Sequence, residues 1–222
     1  LSALTETQRL LDRVRAQSDA ILVAYSDGKD SRVVLDLCSR TFARVEAFHL
    51  VLVPGLECTQ VALAQARRRY GITIREYPHP ILARLIRNGI YCDPSWRRDD
   101  VPDIGLGQIY ALAMADAGIG WVATGNKRSD SAWRRNFMKL FNPERVVHPI
   151  IGWHKYDVMA YLRQRGIGIP PSSGKESTGI DLSHDSLLWL SETFPEDFRR
   201  ICEVFPYAEA VVWRKRFYAD AA

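Results

Sequence analysis

An α/β fold is predicted for this 222-residue chain: a parallel sheet of about five strands, helices on both faces, and a helical C-terminal extension. Three observations predict it. Apolar runs of strand length alternate with helix-period segments as far as residue 165. The first of those runs is apolar throughout, as a strand covered on both faces must be. Beyond residue 184 only helical periodicity is left.

The elements follow in order. Residues 1–18 form a leading helix with Leu4, Leu10, Leu11 and Val14 on one stripe. ILVAY (21–25) is the first strand, and 31–40 a helix whose inner side carries Val33, Val34, Leu37 and Cys38. RVEAFHLVLV (44–53) is a second strand, stopped by Pro54-Gly55. Residues 57–70 read as a helix closed by Gly71, a residue suited to a left-handed C-cap. ITIREY (72–77) is a third strand and 80–88 a short helix. The polar, proline-broken stretch 91–103 is a loop, and 104–118 returns to helical period. GWVATG (120–125) and VVHPII (146–151) are the last strands, and a helix covers 155–165. Residues 166–184, rich in Gly, Ser and Pro, form a loop, and helices fill 184–192, 195–204 and 207–218. Two units are expected: 1–171 as the α/β domain and 172–222 as loop plus helical extension.

Composition narrows the function classes. Hydrophobic residues at 47% and charged residues at 25% are ordinary for a globular protein. No apolar run approaches the roughly 18 residues of a membrane span, so no membrane partner is expected. The start has no signal-peptide pattern, and the absence of Met there suggests trimming; cytoplasm is the expected location. A net charge of +4 is compatible with an anionic ligand without demanding nucleic acid. Cys38, Cys58, Cys92 and Cys202 are scattered and form no C-x-x-C, so neither zinc nor an iron–sulfur cluster is expected. Homo-oligomerisation through the helical tail is compatible with the sequence.

The chemistry concentrates at Ser26-Asp27-Gly28-Lys29-Asp30-Ser31, between the first strand and its helix. In a parallel α/β sheet, ligands sit beyond the carboxyl ends of strands, where helix N-termini present unpaired N–H groups to anions. Gly28 permits a tight turn, Ser26 and Ser31 supply hydroxyls, and Lys29 a point charge, which together suit a phosphate or pyrophosphate. The alternative is a plain connection in which Ser and Asp cap the helix. The Walker pattern does not fit, because there is one glycine and Asp30 follows Lys29. Asp27 has the wrong charge for a phosphate ligand, and its expected role is structural, pointing outward.

YSDGKDSRVVLDL (25–37) resembles the PP-loop motif of the adenine-nucleotide α-hydrolase-like superfamily, and its S-x-G-K-D-S form is similar to the phosphoadenosine-phosphosulfate (PAPS) reductase family. Three later stretches agree, in order: HLVLVPGLECT (49–59), the run Gly125 to Arg134, and HPIIGWHKYDVMAYLRQRGIGIP (148–170). Val53-Pro54 replaces the acidic and hydroxyl residues of that family's second turn, and Lys127 and Asp130 replace an Arg and a Glu. The chain also resembles stand-alone members carried by phages.

The resemblance implies a Rossmann-like (HUP-type) sheet and a nucleotide, either ATP or adenylyl sulfate/PAPS. Tyr25, Ser26, Asp27, Gly28, Lys29, Asp30, Ser31, Gly55, Gly125, Arg128 and Lys175 are implied to contact it. Lys29, Asp30, Lys127 and Arg134 are implied to be catalytic, with Asp30 and Glu57 placing Mg²⁺. Three activities are open. The first is cleavage of a nucleotide at its α-phosphate, by hydrolysis or adenylyl transfer. The second is sulfonucleotide reduction by Cys92 or Cys202 with a thioredoxin-like reductant; the family's C-terminal Glu-Cys-Gly-Leu-His is missing. The third is nucleic-acid modification of the phosphorothioation type, with Trp96, Trp133 and Trp213 beside basic clusters.

Overall fold

The computed structural model of the chain describes residues 3–141, 145–169 and 182–219. Five parallel strands form one sheet: β1 (Ala20–Ala24), β2 (Arg44–Val51), β3 (Ile74–Pro78), β4 (Val122–Ala123) and β5 (Val146–Val147), in the order β3-β2-β1-β4-β5. The helices are α1 (Ala3–Arg15), α2 (Lys29–Thr41), α3 (Glu57–Tyr70), α4 (Pro80–Asn88), α5 (Leu106–Ala117), α6 (Ala132–Phe137), α7 (Lys155–Gln164), α8 (His184–Thr193), α9 (Pro195–Val204) and α10 (Ala208–Ala219). The chain leaves β1 in one direction for β2 and β3 and later returns to its other side with β4 and β5. The sheet therefore has a switch point between β1 and β4, which opens a crevice at their carboxyl ends.

Alternation along β1 explains its continuous apolar run. Ile21 and Val23 join a core with Val33, Val34, Leu37 and Cys38 of α2, Leu63 of α3 and Val158 and Leu162 of α7. Leu22 faces the other way, with Phe48, Val122, Val146 and the α5 residues Ile109 and Ala113. At α1 the stripe differs from expectation: Leu4 is 43% exposed, and Thr7 takes the inner position at 2%. Its hydroxyl donates to the Pro149 carbonyl (2.7 Å) and accepts from Trp153 Nε1 (2.9 Å), so a polar residue is buried with both needs met. The last two strands are shorter than the apolar runs suggest. Pro149 has no N–H to continue β5, and beyond Ala123 the chain turns out into the crevice.

The extension is built onto the sheet domain. Leu187, Leu190, Ile201, Phe205, Ala208 and Val212 bury against Val53 and Leu56 of the β2–α3 turn. A carboxylate fixes the orientation: Asp197 of α9, 3% exposed, accepts hydrogen bonds from the backbone N–H groups of Glu57 (2.7 Å) and Cys58 (2.9 Å). These belong to the first turn of α3, whose own N-cap, Leu56, offers no side-chain acceptor. Arg200 donates to the carbonyl of Gly55, which stands at φ +73°. No helix among the described residues is long and apolar enough to cross a membrane.

Replacing Asp197 by Ala leaves two first-turn N–H groups unmet and should cost about 1–2 kcal/mol, a fall in melting temperature of about 2–8 °C for a chain of this size. Calorimetry of the two proteins checks this, and Asp197→Asn should lose less than Asp197→Ala.

Candidate functional site

The crevice at the switch point is walled by the loop after β1 and the loop after β4. In the first loop Asp27, and not Gly28, takes the left-handed conformation (φ +60°), whereas Gly28 lies at φ −70°. The strain is offset by contacts of the carboxylate: Arg32 Nε donates to Oδ1 (2.9 Å), Arg32 Nη2 to Oδ2 (2.8 Å), and the Tyr25 hydroxyl to Oδ1 (2.6 Å). The Asp27 side chain turns inward, where an outward direction was expected, and is only 17% exposed. Arg32 also donates through Nη1 to the Gly168 carbonyl (2.6 Å). Burial, and then the charge of Asp27, raises the pKa of Tyr25, so its hydroxyl remains a donor to Asp27.

Gly28 is the N-cap of α2 and, having no side chain, makes no side-chain cap bond to the first turn. Among the described residues, a Cβ there would meet only Ser26 Oγ, at 3.4 Å. Ser31, 4% exposed, donates to the Gly28 carbonyl (2.9 Å), and Ser26 Oγ lies 3.3 Å from Ser31 Oγ. The two serines therefore brace the turn from below.

The second loop approaches α2 closely because Gly125 lacks a side chain. A Cβ at Gly125 would lie 3.0 Å from Ser31 N, 3.1 Å from Asp30 C and 3.2 Å from Asp30 Cβ. The approach delivers Lys127, 3% exposed, whose Nζ sits 2.7 Å from Asp30 Oδ2 and 3.0 Å from Asp130 Oδ1. Lys29 Nζ approaches the same Asp30 oxygen at 3.1 Å, and Arg134 Nη1 donates to Asp130 Oδ2 at 2.9 Å. Burial opposes ionisation of Asp130, but hydrogen bonds from Lys127 and the charges of Lys127 and Arg134 outweigh it, holding the carboxyl below its ordinary range. Three cations and two carboxylates thus alternate across the crevice, beside the start of a helix. This arrangement suits a polyphosphate.

Residues 20–175 match the model of the phosphoadenosine phosphosulfate reductase domain. The chain belongs to this family. Its structure is similar to the FMN adenylyltransferase of Candida glabrata in complex with ATP, with a TM-score of 0.50 and 12% identity over 72% of this chain. The chain spans 53% of that protein, about half its length. It is also similar to the phosphoadenylyl-sulfate (PAPS) reductase of Candida auris in a phosphate complex (TM-score 0.47, 15% identity, 74% of this chain and 81% of that one). A third similarity is to the U34-tRNA thiolase NcsA of Methanococcus maripaludis with its [4Fe-4S] cluster (0.49, 14%, 94% and 78%). At such identities the likeness is one of fold. No curated protein matches the chain.

The PAPS reductase-family fold therefore brings together Lys29, Asp30, Lys127 and Arg134 as the motifs imply, and sets other expected contacts elsewhere. Arg128 sends its guanidinium to the Met138 carbonyl (3.0 Å from Nη2) while its N–H donates to Ile151 (2.9 Å), so it braces the loop. Gly55 is engaged by Arg200 of the extension. Glu57 has an exposed side chain, and its backbone N–H is held by Asp197. Asp30 Oδ1 is buried without a hydrogen-bond partner, but its sister oxygen faces two lysines. Among the described residues no three His, Cys, Asp or Glu side chains gather into an all-protein cage; a Mg²⁺ ion held by one carboxylate together with substrate phosphates would draw on Asp30. Lys175 lies outside the described residues.

Burial disfavours the thiolate form of every cysteine. Burial raises the thiol pKa at Cys38, Cys92 and Cys202, and burial with Asp197 pushes Cys58 up to about 12. Cys92 donates to the Val204 carbonyl (3.6 Å), and the nearby Arg97 and Arg98 pair with Asp99 and Asp100. His148, directly after the last strand, has no motif role in the sequence. It is 9% exposed, its Nδ1 lies 2.7 Å from Thr124 Oγ1, and burial and then Arg134 lower its pKa to about 4. The one available signal was its place directly after an apolar strand.

Two outcomes follow. Gly125→Ala must push the second loop off α2 by a few tenths of an ångström, so nucleotide affinity should fall about tenfold or more, read by calorimetric titration. His148 is neutral in the fold but takes up a proton on unfolding between its folded pKa of about 4 and its ordinary value of about 6.5. Stability should therefore fall as pH drops through that window. In His148→Gln the decline in melting temperature from pH 6.5 to pH 4 should be shallower.

Proposed function

We propose that this chain binds an adenine nucleotide of the ATP or adenylyl sulfate type and cleaves it at the α-phosphate, passing the adenylyl group to an acceptor or to water. The observation that carries the reading is the convergence of Lys29 and the buried Lys127 on Asp30, at the first turn of α2. The phosphates lie across that turn, accepting from its N–H groups. Lys29 and Lys127 then exchange part of their interaction with Asp30 for phosphate oxygens. In the transition state negative charge moves toward the leaving pyrophosphate, and ammonium groups already fixed in place stabilise it without reorganising. Arg134, oriented by Asp130, faces the same charge from the acceptor side. Membership of the PAPS reductase domain family supports the nucleotide, and no step here runs through a metal. The reductive alternative loses support because the thiols of Cys92 and Cys202 are shifted away from the thiolate.

Release of AMP and pyrophosphate from ATP tests the assignment. Lys29→Ala should lower turnover by about 100-fold or more, whereas unchanged turnover refutes it. The cognate nucleotide, taken from ATP, AMP, adenylyl sulfate and its 3′-phosphorylated form, should raise the melting temperature by about 5–10 °C at a hundredfold excess over Kd.

A further inference from the structure

The loop between β1 and α2 bends at a residue ill suited to the bend. Asp27 stands at φ +60°, an angle that glycine adopts freely and a residue with a Cβ adopts at a cost. That angle sets the direction in which Gly28, Lys29 and Asp30 leave the strand, and so brings Asp30 to Lys127 across the crevice (2.7 Å). The bend lies between two fixed pieces of backbone. On the strand side, the His49 ring donates through Nδ1 to the Tyr25 carbonyl (2.8 Å) and holds the peptide that opens the loop. On the far side, the chain after α7 is pinned. Ile167 is buried in the core below α2, and Arg69 donates to the carbonyls of Arg165 (3.1 Å) and Gly166 (3.2 Å). Arg32 spans the gap between the pinned chain and the bend. Its Nη1 donates to the Gly168 carbonyl (2.6 Å), while Nε and Nη2 donate to the two carboxylate oxygens of Asp27 (2.9 and 2.8 Å). Nε also reaches the Asp27 carbonyl (3.2 Å), so all three nitrogens of the guanidinium are engaged within the protein.

We propose that Arg32 is the positioning residue of the phosphate turn: it imposes on Asp27 the angle glycine would adopt unaided, and sets nucleotide affinity without touching the nucleotide. This rests on the reading that the phosphates lie across the first turn of α2. Without Arg32, Asp27 relaxes toward negative φ, and the competent turn becomes a fraction of the population. Apparent affinity falls by that fraction, whatever contacts the competent form makes. Charge alone does not suffice for the role. The planar fork meets both carboxylate oxygens while a third nitrogen keeps the Gly168 carbonyl, a geometry that the single nitrogen of a lysine does not reproduce. The Tyr25 hydroxyl assists as a further donor to Asp27 Oδ1 (2.6 Å).

ATP is the probe. Its Kd for the full chain is read by calorimetric titration, alongside amide hydrogen exchange over residues 26–31. Arg32→Ala and Arg32→Lys should each weaken ATP binding about tenfold, the effect of one residue left at positive φ without support. Exchange over 26–31 should quicken in both. In Asp27→Gly/Arg32→Ala the Kd should return to within about threefold of the unaltered chain, because glycine adopts the angle unaided. An arginine that binds phosphate directly gives a different result: its loss persists in the double variant, and that outcome overturns the proposal. Unchanged Kd in Arg32→Ala overturns it too. Where Arg32→Ala does not fold, Tyr25→Phe against Asp27→Gly/Tyr25→Phe makes the same comparison, with a smaller loss and the same recovery expected. If ATP does not bind even the unaltered chain, the nucleotide reading fails, and hydrogen exchange alone decides the role of Arg32. Quickened exchange that Asp27→Gly reverses then upholds the positioning of the turn, and equal exchange overturns it.

Discussion

A lysine placed almost wholly out of water is costly unless its charge is met, and Lys127, 3% exposed, is met twice, by Asp30 and by Asp130. Asp30 opens α2 and Asp130 precedes α6, so one ammonium group fastens the two loops that wall the crevice. Removing the lysine would leave two carboxylates facing each other across a gap that Gly125 has made narrow. The switch point of the sheet thereby becomes a closed charge arrangement, poised to exchange internal partners for an incoming anion. The fold dictates where the crevice lies, and the pairing of Lys127 dictates how wide it is.

The extension answers a different constraint. The α3 helix starts at a turn whose residues Pro54, Gly55 and Leu56 offer no side-chain cap. The missing acceptor comes from Asp197, 140 residues away from Glu57, and the neighbouring apolar surface of Val53 and Leu56 is covered by Leu187, Leu190 and Ile201. The same helices pack Cys92 and Cys202 into their own cluster, so the two thiols that the sequence offers for redox chemistry are spent on packing. Burial at all four positions disfavours the thiolate.

Much of this was legible in the residues, for reasons that differ by element. Val33, Val34, Leu37 and Cys38 recur at helical spacing and are all buried, because a helix on a sheet has one inner face and the period reveals it. The phosphate loop was legible because it combines small and charged residues at the end of an apolar strand. Groups whose partners are distant in sequence were not. Asp36 is 3% exposed and looks like an error within an apolar stripe until Tyr70, Tyr161 and Arg165 are seen to reach it. The same holds for Asp197 on α3, for His148 beside Thr124, and for Arg128, whose motif implied phosphate and whose guanidinium found a carbonyl. Local spacing encodes which face of an element is buried; it does not encode which polar group another element will bring.

The turn at Asp27 illustrates a trade in how a shape is specified. A glycine at this point would adopt φ +60° by lacking a side chain, independently of anything around it. Here the same angle is held by attraction, from Arg32 and Tyr25, and Arg32 in turn grips the backbone at Gly168. The shape of the loop is therefore a shared property of three places in the chain. In a library of variants, positions 27 and 32 should behave as one unit of inheritance: exchanges tolerated together and penalised singly. A turn made in this way also carries information in the opposite direction, since any movement of the backbone at Gly168 is transmitted through one guanidinium to the residue preceding the first turn of α2.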